Sequence, residues 1–351
     1  MTRPYKLDIV SQNMANNKKA FITGISGQDG SYLTEFLLDK EYEVAGLVRR
    51  NAVLDLGNIN ELKDEIKIYY GDLQSPESVA LALYDFKPDE IYNLASLSSP
   101  LGSFSDKFAS IMVTGIGALN VFERAKQIVP DTKIYQASTS EMFGAPKHVP
   151  QNEDTPFNPA NPYAAAKEFA HRMAVIARKD KKQPQFISCG ILFNHESPRR
   201  GLNFVTRKIT AAVACIKNGR KEGIPLNEIG EPIVEDGKVK LGDLDAERDW
   251  GYAPDYVELM WLMLQQEKAD DFVAATGEIH TVAEFAKEAF EVVGLNYKDF
   301  VITDPHFVPP VQTGPLCGDA TKAKKVLGWE PKTKFKDLVR IMVHADLAKF
   351  S

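Results

Sequence analysis

The sequence predicts an α/β fold: a doubly wound parallel sheet with helices on both faces, joined to a smaller C-terminal α/β lobe. Two observations predict it. Through residues 19–194, short apolar runs of β character alternate with segments of helical apolar spacing, and such alternation requires crossover connections and hence parallel strands. Beyond residue 194 the loops lengthen and short strand-like runs alternate with isolated helices, the texture of a second unit. A length of 351 residues suits about two such units.

Taken in order, KAFITG (19–24) reads as a strand ending in glycine, and SYLTEFLLDK (31–40) as a helix. YEVAGLVRR (42–50) and KIYYGD (67–72) are strands, SPESVALALYDF (75–86) a helix, and EIYNLAS (90–96) a strand. A helix near 110–128 precedes the strand KIYQAS (133–138), the helix opened by NPYAAAKEFAHRMAV (161–175) and the strand QFISCGILF (185–193). In the second part, PDYVELMWLMLQQ (254–266) and TVAEFAKEAFEVVG (281–294) read as helices, and DDFVAAT (270–276) as a strand. The pair Asp236-Gly237 stands between two alternating runs in EPIVEDGKVKLG (231–242), a strong hairpin signal. The domain division expected is a polar extension over 1–18, a dinucleotide-binding unit over 19–194 that carries the catalytic residues, and a mainly substrate-binding lobe over 195–351 with segments returning to the first unit.

Bulk properties exclude several function classes. The net charge of −6, with both signs interleaved, lacks the concentrated basic face that phosphate-backbone binding needs, so nucleic acid is not an expected partner. Cys189, Cys215 and Cys317 lie far apart with no paired spacing, which points to reduced thiols and to no metal site. No apolar stretch reaches membrane-spanning length, and the opening residues lack a signal-peptide core, so a cytoplasmic protein is expected.

Gly24, Gly27 and Gly30 open the turn between the first strand and helix, with Gln28 and Asp29 between the last two. Glycines at such spacing let the backbone turn tightly, let a pyrophosphate reach the amides, and let the helix pack close to the sheet, as in Rossmann-type dinucleotide sites. The second strand ends in Arg49-Arg50, where an acidic residue would hold the ribose hydroxyls of NAD. Two guanidiniums suit a 2′-phosphate, so NADP is expected ahead of NAD; a solvated charge pair is the other reading. Asp72 and Leu73 fall where the adenine edge would lie, though Asp after Gly is also ordinary turn chemistry.

Tyr163 and Lys167 are four residues apart and share one helix face. An ammonium beside a phenol favours the phenolate, giving a tyrosine that can accept a proton from a sugar hydroxyl. Upstream, ASTSEMFG (137–144) places Thr139 and Glu141 just past a buried strand, where open α/β sheets hold ligands.

These segments, with GILFNHESPRRGLNFVTRKI, LGDLDAERDWGYAPDYVELMWLMLQ and KAKKVLGWEPKT, resemble the GDP-mannose 4,6-dehydratases of the extended short-chain dehydrogenase/reductase family, over about residues 19–347. The resemblance implies a lyase acting on a nucleotide-diphospho-sugar: Thr139 and Tyr163 at the sugar's 4-hydroxyl, Glu141 as acid and base at C5 and C6, and Lys167 holding the cofactor ribose. The chemistry requires one carboxyl able to give and take a proton near neutrality, which partial burial beside Met142 and Phe143 favours. It also implies cofactor contacts at Leu94, His195, Arg199 and Arg200, the two arginines reaching a neighbouring subunit's cofactor in a homo-oligomer, dimer or tetramer. Substrate contacts are implied at Ser98, Asn194, Asn203, Val205, Lys208 and Arg248, with Arg207 a further donor. Three stretches depart from the family pattern: Leu97-Ser98-Ser99-Pro100 replaces a Gln-Ser-His stretch, Pro309-Pro310-Val311-Gln312-Thr313 replaces Arg-Pro-x-Glu-Val, and residues 220–240 are inserted. The departures leave another sugar nucleotide open: a GDP-heptose, or a GDP- or UDP-N-acetylhexosamine. A C4 epimerase, a dehydrogenase or a non-catalytic NADP-binding regulator are more distant alternatives.

Overall fold

Apolar runs bounded by glycine, proline and capping residues form the elements of one central sheet and an attached lobe. The computed structural model describes residues 17–49, 56–311 and 313–351. In order, the first part contains β1 (Lys19–Thr23), α1 (Gln28–Asp39), β2 (Glu43–Val48), β3 (Lys67–Tyr70), α2 (Pro76–Phe86) and β4 (Glu90–Asn93). The short α3 (Lys107–Ala109) runs through a π-helical stretch (Ser110–Ile116) into α4 (Gly117–Ile128), followed by β5 (Lys133–Thr139), α5 (Pro162–Arg178) and β6 (Ile187–Leu192). Then come β7 (Asn194–Glu196), α6 (Val205–Lys217), β8 (Val239–Leu241), β9 (Glu247–Arg248), β10 (Trp250–Tyr252), α7 (Ala253–Leu264), β11 (Asp271–Ala274) and β12 (His280–Thr281). The chain ends with α8 (Val282–Val292), β13 (Val301–Thr303), α9 (Thr321–Leu327) and α10 (Phe335–Lys349).

The sheet has seven strands in the order β11-β6-β5-β4-β1-β2-β3, all parallel. From β1 the chain builds outward through β2 and β3, then returns to β4 on the other side, so the order reverses between β1 and β4. A crevice opens at such a reversal, beyond the carboxyl ends of the strands. Both faces of the sheet are covered. Leu33 and Leu37 of α1 meet Met260 and Met263 of α7 on one face. Leu83 and Phe86 of α2, Phe122 of α4 and Ala170 of α5 cover the other. A separate apolar cluster joins α6, α8 and α10 through Val213, Phe285, Phe290 and Met342.

Helix starts follow local chemistry. Ser75 caps α2 by accepting the Ser78 N–H, with Pro76 following; Asn161 and Pro162 repeat the arrangement at α5, and Thr281 with Glu284 closes a capping box on α8. At the first βα turn, Gly24 has φ +73°, and a Cβ on Gly30 would lie 2.4 Å from the Gly24 carbonyl oxygen. The glycine spacing therefore serves close packing of α1 on the turn as well as any ligand.

The strand within 270–276 lies in the main sheet, where Asp271–Ala274 pairs with Cys189–Leu192 at the edge. One expectation, the hairpin, is corrected. The Asp236-Gly237 turn forms, with φ of +50° and +72° and a bridge between Glu235 and Lys238, but no hairpin ladder extends from it. Instead β8 pairs in parallel with β13. The preceding run is already engaged with residues 225–227, through Ile233 N–H to the Pro225 carbonyl at 2.9 Å and Asn227 N–H to the Glu231 carbonyl at 2.7 Å. Pro232 offers no N–H of its own. Residues 1–16 of the expected N-terminal extension, and Arg50, lie outside the described residues. Among the described residues, no helix is long and apolar enough to cross a membrane.

Gly30→Ala is predicted to cost about 1–3 kcal/mol, because the added methyl meets backbone on a rigid turn. Urea unfolding measures this; an unchanged midpoint would show that the turn relaxes freely.

Candidate active site

Strand β5 carries Thr139 to the carboxyl edge of the sheet, and a single 3₁₀ turn over Ser140–Phe143 places Glu141 beside it. The Thr139 hydroxyl accepts the Glu141 N–H at 3.3 Å. Asn161 ties this turn to α5. Its side-chain oxygen accepts the Ala164 N–H at 2.8 Å, and its amide donates to Glu141 Oε2 at 3.0 Å. One capping residue thus fixes both the start of α5 and the direction of the carboxylate. Tyr163 follows two residues later, with its phenol toward Thr139. One turn on, Lys167 donates to the Ala137 carbonyl at 2.8 Å, with its ammonium 5.8 Å from the Tyr163 ring centroid. Thr139, Glu141, Tyr163 and Lys167 are all buried and line one cavity.

Proton affinities in this cavity differ from the expectation for the tyrosine. Burial dominates and pushes the Tyr163 phenol above its ordinary value, Thr139 opposes this weakly, and the Glu141 charge adds to it. Lys167 does not depress it: burial brings the lysine itself down to about 8, and its hydrogens point at the Ala137 carbonyl. The i, i+4 spacing placed both groups on one face, but the protein atoms alone leave the phenol protonated.

A second groove adjoins the cavity and shares Asp29, Leu94, Ser98, Arg200 and Asn203 with it. It is lined by Gly24, Gly27, Gln28, Gly30, Arg49, Asp72, Leu73 and Arg199. Helix α1 begins at Gly27 with no side-chain cap, so its first amides stay available to an anion, and the residues fit the pyrophosphate of a dinucleotide. Arg49 is exposed at the end of β2. The Asp72 carboxylate accepts the Gln74 N–H at 2.9 Å, which is the turn chemistry of its alternative reading.

Gln28, Asp29 and His195 lock groove to cavity. His195 Nδ1 faces the Phe193 carbonyl at 2.7 Å and Nε2 the Asp29 carboxylate at 2.9 Å. Both partners only accept, so the ring carries both protons. Burial pulls the imidazole down, but Asp29 more than offsets it and raises the value. Burial likewise pushes Asp29 up, and the imidazolium overrides it to leave the carboxyl at about 2. Gln28 donates to the His195 carbonyl at 3.0 Å and accepts from the Ser197 hydroxyl at 2.8 Å.

Of the residues expected to contact substrate, Ser98, Asn194, Asn203, Val205, Lys208 and Arg248 all line the cavity. The Asn194 side-chain oxygen is buried without a protein partner, as an atom awaiting a ligand donor would be. Arg248 donates to the Thr313 hydroxyl at 2.7 Å, so the segment that departs from the family pattern still meets it. Arg207 is a correction. It is buried against Asp346 of α10 at 2.7 Å and donates to the Pro198 carbonyl at 3.1 Å, because consecutive helical residues point about 100° apart and Lys208 takes the cavity side. Arg199 lies over Tyr32 of its own chain and pairs with Glu35 at 2.6 Å, while Arg200 pairs with Glu196 at 3.2 Å. Both arginines thus have partners within the chain. Sequence reasoning missed Asn161, whose Asn-Pro capping signal was legible, Trp250, which lies in a quoted motif but was given no role, and Phe104, Phe307 and Glu228, which line the cavity from segments without a motif.

A family profile described as GDP-mannose 4,6 dehydratase matches residues 21–342. GDP-mannose 4,6 dehydratase 1 of Arabidopsis thaliana is 47% identical over 342 residues, covering 94% of this chain and 90% of that protein. GDP-mannose 4,6 dehydratase of Homo sapiens is 43% identical over 355 residues, covering 93% and 91%. The crystal structure of a dTDP-glucose 4,6-dehydratase from Streptomyces venezuelae, solved with NAD bound, shares the fold at a TM-score of 0.78 with 19% identity, over 93% of this chain and 96% of that one.

Arg207→Leu is predicted to destabilise the protein by about 3–5 kcal/mol, since it strands Asp346 in the lobe interior. A denaturation midpoint equal to that of the unaltered protein would return Arg207 to the role of ligand donor.

Proposed function

The chain belongs to the GDP-mannose 4,6-dehydratase family, and from that premise we propose that Thr139, Glu141, Tyr163 and Lys167 carry out its reaction, the hydro-lyase conversion of GDP-mannose to GDP-4-keto-6-deoxymannose. The observation that carries the assignment is one cavity lined by both Tyr163 and Glu141, with the Thr139 hydroxyl accepting the Glu141 N–H beside them. An epimerase would need the tyrosine and lysine but no carboxyl held in place by a helix cap.

The cofactor is a nicotinamide dinucleotide, and the residues that would hold it are the Gly24–Gly30 turn for the pyrophosphate, Arg49 for a 2′-phosphate, and Lys167 for the ribose hydroxyls. The exposed guanidinium at the end of β2 favours NADP over NAD. A nicotinamide held by these residues would supply the chemistry of accepting a hydride from C4 of the hexose and giving it back at C6, with no net change in the cofactor. The positive charge of an oxidised nicotinamide would favour the Tyr163 phenolate, the form that accepts the O4 proton. The C4 carbonyl then acidifies the C5 hydrogen, which Glu141 removes and delivers to the departing C6 hydroxyl as water leaves. The proton taken from O4 is the one left to balance C5. Asn161 keeps Glu141 on the sugar's C5 and C6 side throughout.

Three coarser assignments complete the reading: residues 19–194 bind the cofactor and carry the catalytic groups, residues 195–351 mainly bind substrate, and the protein works in the cytoplasm. Copies of the chain assemble as a homo-oligomer; the support is a set of exposed apolar side chains, Phe108 and Ile111 beside Phe169 and Ile176 of α5, on one side of the sheet.

Glu141→Gln should bind NADP normally yet form product about 10²–10⁴-fold more slowly. Mass spectrometry for loss of one water from GDP-mannose reads the result, and undiminished water loss would remove Glu141 from its role. Lys167, held at about 8, loses its charge as pH rises through that value. NADP affinity, titrated by protein fluorescence, is therefore expected to weaken above about pH 8, and a flat profile there would contradict the ribose contact.

A further inference from the structure

The inserted stretch after α6 sends one charged side chain into the substrate cavity. Glu228 sits on a closed turn in which the Asn227 side chain accepts the N–H groups of Ile229 at 3.1 Å and Glu231 at 3.0 Å. Both of its carboxylate oxygens lie 2.9 Å from Lys208 Nζ. Lys208 is itself only 5% exposed along its side chain, and its ammonium is held 3.9 Å from the Phe307 ring centroid. The pair lines the cavity together with Leu241, Trp250 and Val282, all from the C-terminal part of the chain, whereas Glu141 and Tyr163 come from the sheet edge. A hexose against Tyr163 would leave the part of the cavity lined by this pair to the nucleotide end of the substrate.

We propose that Glu228 is a specificity-determining residue that reads the base of the nucleotide as guanine. This rests on the reading above that the cavity holds a GDP-sugar. An ammonium beside a carboxylate presents one donor next to two acceptors. Guanine presents the complement along one edge: the O6 acceptor, then the N1–H and N2–H donors. Lys208 has hydrogens to spare for O6, and each Glu228 oxygen keeps a lone pair for N1–H or N2–H. Uracil and thymine place an acceptor oxygen where guanine has its amino group, and would face the carboxylate with like charge. Adenine places an amino group against the ammonium. Lys208 is buried while Glu228 keeps 21% of its side chain exposed, so a base seated on the pair covers the carboxylate, and one that lacks the donors covers it without replacing its water.

The test compares initial rates on GDP-mannose and on IDP-mannose, whose hypoxanthine base lacks only the 2-amino group, for the unaltered enzyme and for Glu228→Gln. The unaltered enzyme should show a KM for IDP-mannose about tenfold or more above that for GDP-mannose, at similar kcat. Glu228→Gln should raise the KM for GDP-mannose by a comparable factor and bring the two substrates within about twofold. Equal KM values in the unaltered enzyme, or a preference that survives the substitution, would overturn the assignment. The unaltered-enzyme comparison stands even if the variant fails to fold. Absence of water loss from GDP-mannose altogether would instead overturn the dehydratase reading on which the assignment rests.

Discussion

The site depends on parallel strand pairing. Because β4, β5 and β6 run in the same direction, their carboxyl ends fall on one edge, and the residue after each strand emerges beside the others. Thr139 and Glu141 occupy that edge at the end of β5, and α5 must cross back over the sheet from it. Tyr163 and Lys167 therefore meet them without any special loop. The contacts that hold this meeting are few and local: Asn161 on Glu141 and Lys167 on the Ala137 carbonyl. A slip of one residue in β5 would turn Thr139 to the opposite face of the sheet.

A second constraint joins the two ligand sites. The Asp29 carboxylate and the His195 imidazolium are a buried charge pair between the start of α1 and β7. Such a pair contributes little net stability over an apolar replacement but resists loss of either partner. Its consequence here is geometric. The glycine turn before α1 and the strand β7 cannot move independently, since Gln28 and Ser197 add hydrogen bonds alongside.

The far end of the cavity is built by different means. Lys208 lies on the first turn of α6, Phe307 and Thr313 lie on the irregular segment before α9, and Glu228 lies on a turn closed by Asn227. No regular ladder fixes these residues to one another; the ion pair and the aromatic contact do. Thr139, Glu141, Tyr163 and Lys167 thus sit at the sheet edge, while the far end of the cavity is built from loops and short turns.

Periodicity and caps in the sequence determined the alternation of strands and helices, the glycine turn, and the order Thr139, Glu141, Tyr163, Lys167, because each is a property of neighbours within one or two turns of chain. Tertiary structure alone decided which of two adjacent cations, Arg207 and Lys208, lines the cavity: α10 supplies Asp346 to one side of α6 and leaves the other open. It also decided that β8 pairs with β13 rather than back across the Asp236-Gly237 turn, and that β11 joins the main sheet. The protonation of the site was equally illegible. The phenol rises and His195 gains a proton because of desolvation and partners far away in sequence, and no local pattern encodes the groups that burial brings together.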